Sequence, residues 1–159
     1  MGTRRRDEGF TMIEVLVTTS LLGLMMAIAI SGWSSWARSS AHSGTARELQ
    51  SILRQTEERA VTEGRAMCVL FDSTANRYTV YRGVCGGSDL TRVLGPVATA
   101  STEVRIASPV FTSMAGTTTG VTFYARGTAS PGTVRVTRSG SSKVYTLTVE
   151  GLTGRVSLS

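Results

Sequence analysis

From Val15 to Trp36 the sequence is apolar almost without a break, and an acidic residue, Glu14, stands directly at the head of the run. As a helix rising 1.5 Å per residue, such a run covers about 33 Å, enough to cross the hydrocarbon core of a bilayer. Thr18, Thr19 and Ser20 interrupt it only mildly, because hydroxyls can bond back to helix carbonyls. Gly23, Ala27 and Ala29 leave small patches where helices can approach one another closely, and Trp33 and Trp36 suit a membrane–water boundary. A carboxylate near the centre of a bilayer costs about 2.5–3.5 kcal/mol on insertion scales. Glu14 is therefore expected to have a specific partner. Arg4, Arg5 and Arg6 precede the run, and the positive-inside rule puts them in the cytoplasm and the rest of the chain across the membrane.

With 159 residues, the chain has room for one such helix and one globular domain of roughly 100 residues. Leu49, Ile52, Leu53, Thr56 and Ala60 recur at helical spacing, with Glu48, Arg54, Glu57, Glu58 and Arg59 mostly opposite. This predicts an amphipathic continuation of the helix over Ala46–Ala60, its apolar stripe on a sheet and its charges in solvent. Gly44 is a soft spot and Gly64 the expected stop.

After Gly64 the period changes. Met67–Phe71 and Tyr78–Tyr81, joined by a turn over Asp72–Asn76, read as a β-hairpin. Weak strand signals near Thr91–Leu94 and Glu103–Ala107 follow, in a Gly-, Ser- and Thr-rich stretch from Gly83 to Gly120. Four closely spaced segments, Val121–Tyr124, Thr133–Thr137, Val144–Val149 and Arg155–Leu158, describe an antiparallel sheet. Helix first and strands after predicts an α+β fold with the sheet packed on the outer half of the helix.

The stretch Gly9-Phe10-Thr11-Met12-Ile13-Glu14 closely resembles the prepilin signature of type IV pilins and type II secretion pseudopilins. The resemblance implies that a prepilin peptidase cuts between Gly9 and Phe10, that the new terminal Phe10 is N-methylated, and that Glu14 guides filament assembly. The organisation it implies is a leader over 1–9, a transmembrane and filament-core helix over 10–36, its amphipathic continuation over 37–64, and a β domain over 65–159. Other pilins and an inner-membrane assembly platform are the further partners, and the globular domain is extracytoplasmic. The usual helix-kinking proline of the family is missing.

Three further elements, Leu53–Ala60 leading into Cys68–Phe71, Val121–Ala129, and Gly154-Arg155-Val156, resemble the GspH/FimT group of minor pseudopilins and minor pilins. A long N-terminal helix carrying a small two-sheet β domain is the fold this implies. The implied function is structural, a subunit that initiates or caps a filament. Some FimT-like relatives bind DNA through an Arg-containing C-terminal segment, which makes DNA capture the alternative. Here Arg155 is kept, but Ser157 stands where a second basic residue would sit. Arg126, Arg135, Arg138 and Lys143 could complete a basic patch, although alternation puts Arg135 on an ordinary solvent-facing position.

The net charge of +6 includes +1 from the leader, where three arginines face Asp7 and Glu8, leaving +5 on the remainder. Arg-rich surfaces of that size also occur without any polyanion partner. Cys68 and Cys85 match no metal pattern; an extracytoplasmic location permits a disulfide between them, and a buried Cys68 with an unpaired Cys85 is the other reading. His42 is the only histidine and shows no partner pattern. With neither a triad base, a metal cluster nor a phosphate-cradling loop, the sequence predicts no catalysis and no cofactor.

Overall fold

The computed structural model describes residues 11–113 and 116–159. The chain divides between Ser39 and Ser40 into two units, and one helix, α1 (Met12–Glu63), contributes to both. In the first unit, the carbonyl of Thr11 accepts the N–H groups of Glu14 and Val15 at 3.1 and 3.3 Å and opens the helix. The hydroxyls of Thr18, Thr19 and Ser20 bond back to carbonyls one turn earlier at 2.8–3.1 Å, as expected. The window Met12–Ala29 has a mean hydropathy of 2.0, and none of it is buried among the described residues.

In the second unit α1 carries the predicted stripe. Ala46, Leu49, Leu53 and Ala60 are essentially inaccessible to solvent, Thr56 is buried and Ile52 is partly buried. Gly44 does not interrupt the helix. Gly64 does end it: a φ of +63° takes the chain into the left-handed region, and Arg65 donates back to Ala60 at 3.1 Å. Glycine adopts that conformation without the Cβ clash that other residues meet.

The strands are β1 (Met67–Asp72), β2 (Arg77–Arg82), β3 (Thr91–Ala98), β4 (Val104–Ser113), β5 (Gly116–Thr118), β6 (Gly120–Phe123), β7 (Gly132–Arg138), β8 (Tyr145–Val149) and β9 (Val156–Leu158). They form a four-stranded sheet in the order β3-β2-β1-β6 and a five-stranded sheet in the order β5-β4-β7-β8-β9, with every pairing antiparallel. The four C-terminal segments thus do not make one sheet. β6 leaves the others and pairs with β1, Val69 opposite Val121. The weak signals near Thr91 and Glu103 grow into β3 and the ten-residue β4.

The inner faces of both sheets and the α1 stripe close one core around Leu49, Leu53, Phe71, Phe111, Phe123 and Leu147. Phe71 and Phe111 stack across the sheets with ring centroids 5.9 Å apart. Side chains of this size each stabilise the fold by roughly 1.5–3 kcal/mol when fully buried.

Hydrogen bonds around Ser130 and Asn76 help tie the sheets together. Ser130 N–H donates to Thr122 O at 2.8 Å and Ser130 Oγ accepts from Thr122 N–H at 2.7 Å, which covers the free edge of β6 just before the chain enters β7. Asn76, in the β1–β2 turn with a φ of +53°, reaches across to the other sheet. Its Nδ2 donates to Thr99 Oγ1 and to Val104 O, both at 2.6 Å, and its Oδ1 accepts Ile106 N–H at 2.8 Å.

Candidate functional site

Of the residues in the predicted N-terminal signature, Gly9 and Phe10 lie outside the described residues. Glu14 stands exposed in the first turn of α1, where the positive end of the helix dipole favours a carboxylate. It makes no ion pair among the described residues.

In the globular unit, the segments Leu53–Ala60, Val121–Ala129 and Gly154–Val156 come from distant parts of the sequence and meet at one place. Gly154 has a φ of +64°, and a Cβ there would lie 2.8 Å from both Glu57 Oε1 and Gly127 O. Only glycine lets the turn between β8 and β9 close on the helix and on the 124–128 turn together. Arg54 Nη2 and Gln50 Nε2 both donate to Val156 O, at 3.3 and 3.4 Å, so the helix holds the outer edge of β9.

A groove of about 550 Å³ opens beside this junction, lined by Arg54, Glu57, Glu58, Val61, Thr153 and Arg155 among others. Burial raises the Glu57 carboxyl above the ordinary carboxylate range, the neighbouring Glu58 adds to the rise, and Arg54 opposes it. Val61 is half exposed and Leu152, at the tip of the turn, is 89% exposed. Apolar and charged groups in such a groove suit contact with another chain. No cluster of metal-ligating side chains occurs among the described residues.

Of the helix charges, Glu48, Arg54, Glu58 and Arg59 are exposed, as the spacing predicts, and Glu57 is half-buried. Arg54 holds β9, Glu57 packs on Gly154, and Glu48 accepts the Tyr78 hydroxyl at 3.1 Å. Burial, followed by the Glu48 carboxylate, pushes the Tyr78 phenol up to about 12. His42, given no role by its sequence context, is buried with Nε2 3.0 Å from Val136 O.

Cys68 and Cys85 are disulfide-bonded. Their bond draws the 83–89 loop over the outer face of β1 and β6, where Cys85 N–H donates to the buried Thr122 Oγ1 at 3.0 Å. The five cations considered for DNA do not form one patch. Arg126 and Arg155 lie in turns near the Gly132 end of β7, whereas Arg138 and Lys143 flank the turn at its other end. Seven residues of strand separate the two groups by about 20 Å. Arg135 lies between them on the outward face, as alternation predicts.

A family model described as type II transport protein GspH matches residues 45–153, about two thirds of the chain. The chain belongs to the GspH family. A second model, the prokaryotic N-terminal methylation motif, matches residues 4–30. Membership makes the chain a minor pseudopilin, a structural filament subunit and not an enzyme, and the single apolar N-terminal helix fits a membrane-anchored pilin-like protein.

Solved structures share the fold. The minor pseudopilin EpsH of the Vibrio cholerae type 2 secretion system is 15% identical, with 72% of this chain and 92% of that one covered at a TM-score of 0.54. The type IV minor pilin FimU of Pseudomonas aeruginosa is 18% identical over 79% of this chain and 90% of that one, at 0.57. Escherichia coli GspH is 14% identical over 77% and 90%, also at 0.54. No curated protein matches in sequence. These matches do not favour the FimT-like, DNA-capturing alternative: the family model is that of a type II transport protein.

Proposed function

We propose that this GspH-family chain primes or caps the pseudopilus of a type II secretion machine. In this reading a prepilin peptidase cuts between Gly9 and Phe10, Phe10 is N-methylated, and the 10–36 segment holds the subunit in the inner membrane with the globular unit outside the cytoplasm. On extraction by the assembly platform, Glu14 pairs with the Phe10 amino group of a neighbouring pseudopilin. The observation that carries the reading is the match to the methylation motif over 4–30, coinciding with an unburied apolar window that opens beside Glu14.

An ion pair enclosed in a filament core loses roughly 3–5 kcal/mol when one partner is deleted. Glu14→Ala should therefore fall out of filaments while the globular unit keeps its fold. Incorporation of Glu14→Ala at the wild-type level, measured in sheared pseudopili against membrane-bound subunit, would remove the pairing from the proposal. Unprocessed chain in cells that contain the peptidase would remove the cleavage site.

A further inference from the structure

Between Glu103 and Glu150 the sequence contains no Asp or Glu, but it contains Arg105, Arg126, Arg135, Arg138 and Lys143. The fold concentrates part of this charge at one end of the five-stranded sheet. β7 ends at Arg138 and the chain turns back at Gly140, whose φ is +73°. Lys143 then precedes β8, while Arg105, opposite Thr137, faces the other side of the sheet from Arg138, which is opposite Val104.

This is also the end at which α1 enters the globular unit. His42 lies beside β7, bonded to Val136 O at 3.0 Å, and its ring meets Tyr145 edge-on at 4.8 Å. Lys143 Nζ sits over the Tyr145 ring at 4.7 Å. The aromatic pair thus seats the hairpin on the first globular turn of the helix.

Among the described residues the charge there has no ion-pair partner. Arg138 Nε is buried without an acceptor, and Arg105, Arg138 and Lys143 form no ion pair among the described residues. Glu103 is the adjoining acidic residue. Its carbonyl accepts Ser139 N–H at 3.0 Å, and its carboxylate makes no ion pair among the described residues either. Clustered cations repel one another unless an external anion compensates them.

A bilayer surface is the anion within reach. Even fully extended, the chain from Trp36 to His42 spans no more than about 20 Å, and tryptophans such as Trp33 and Trp36 settle at headgroup level. We propose that the Arg138–Lys143 hairpin docks the globular unit onto anionic lipid headgroups of the membrane that holds α1. The proposal rests on the membrane-anchored reading above. Each Lys or Arg at an anionic surface shifts the docked-to-free ratio by about fivefold, and the attraction fades beyond about 8–10 Å at moderate salt. The hairpin holds the subunit against the bilayer until extraction pulls it away.

The test uses the full chain with Ser142→Cys, an exposed position in the turn. Because Cys68 and Cys85 are bonded to each other, the new thiol is the one that takes a donor dye. The chain is reconstituted into phosphatidylcholine vesicles, with or without phosphatidylglycerol, that carry a headgroup acceptor of very short transfer range, a chelated transition metal, so that a tethered but undocked unit gives little signal. Flotation reads anchoring and energy transfer reads docking. The expected result is flotation with both lipids and strong transfer only with phosphatidylglycerol. That transfer should weaken in high salt and fall about thirtyfold in docked-to-free ratio when Arg138→Gln and Lys143→Gln are combined.

Equal transfer in both lipids overturns the docking alone, whereas failure to float in either overturns the anchoring reading and the docking with it. Displacement by inorganic phosphate would replace the surface with a single-anion pocket, and displacement by duplex DNA at matched charge would replace the lipid with a nucleic acid. The thermal melt of the double variant should match that of the parent chain. A lowered melt would assign the two cations to folding and overturn the proposal.

Discussion

Replacing Asn76 with alanine should uncouple the two sheets at a cost that follows from its three bonds. Ile106, 1% exposed, donates its N–H to Asn76 Oδ1 at 2.8 Å. Without that acceptor a buried donor is left unpaired, which costs about 1–3 kcal/mol. Val104 O keeps a 3.2 Å bond from Thr99 Oγ1, so the loss of Asn76 Nδ2 there costs less. The two lost Nδ2 bonds add about 1 kcal/mol between them, at the low end for neutral pairs. Alanine at a φ of +53° adds about 1 kcal/mol of backbone strain that asparagine tolerates better.

The sum is about 3–5 kcal/mol, a large part of the 5–15 kcal/mol by which a domain is stable. Asn76→Gly removes the strain but not the lost bonds and should recover about 1 kcal/mol of it. Urea denaturation of the chain in mild detergent, followed by tyrosine fluorescence, gives both values. A loss below about 0.5 kcal/mol for Asn76→Ala would show that the sheets are joined by core packing alone and refute the reasoning.

Three further outcomes are expected. A Cβ at Gly132 would collide with Val110 O and with the backbone and ring of Phe111, so Gly132→Ala should cost about 3 kcal/mol or more and shift the urea midpoint accordingly. Burial raises the Glu57 carboxyl, so its ionised form disfavours the folded state above the ordinary carboxylate range, and the penalty disappears as pH falls through the raised value. Glu57→Gln should therefore be at least as stable as the parent at pH 7 and lack the parent's gain in mild acid, as pH-dependent melts would show. Cys68 and Cys85 are 17 residues apart, so Cys68→Ser with Cys85→Ser should lower stability by about 3 kcal/mol, measured against the oxidised chain.

The helix and the fold class were legible because their signals are periodic and dense. The stripe from Leu49 to Ala60 announces one face of a helix, and that face is buried. Assignment of strands to sheets was not legible. β6 looks like the first of four similar strands, yet its partner is β1, a pairing across some fifty residues that leaves no local signal. In the stretch from Gly83 to Gly120 only the first halves of β3 and β4 were legible, because Gly95-Pro96 interrupts the one, an irregularity at Ser108-Pro109 breaks the alternation of the other, and β5 is three small residues.

The convergence of Glu57, Gly127 and Gly154 was present in the sequence only as three family-like segments. Charge on an amphipathic helix looks solvated by default, so spacing alone could not distinguish Glu58, which is exposed, from Glu57, which packs against a turn. His42 and Asn76 gave no signal because the hydrogen bonds that fix them go mostly to backbone groups, and a backbone partner leaves no trace in side-chain pattern.

The grip of Gln50 and Arg54 on Val156 O matters beyond the stability of one chain. A sheet with an unpaired edge invites another sheet to extend it, and filament subunits are held side by side at very high local density. Here β9 is shielded by α1, β6 is covered by the 129–130 segment, β5 is three residues long, and β3 is broken by Pro96 and an irregular register. The domain is thereby guarded against amyloid-like strand exchange, which leaves polymer order to be set by the helices. Loosening Arg54 would then appear first as subunits that aggregate out of register, before any loss of individual folding.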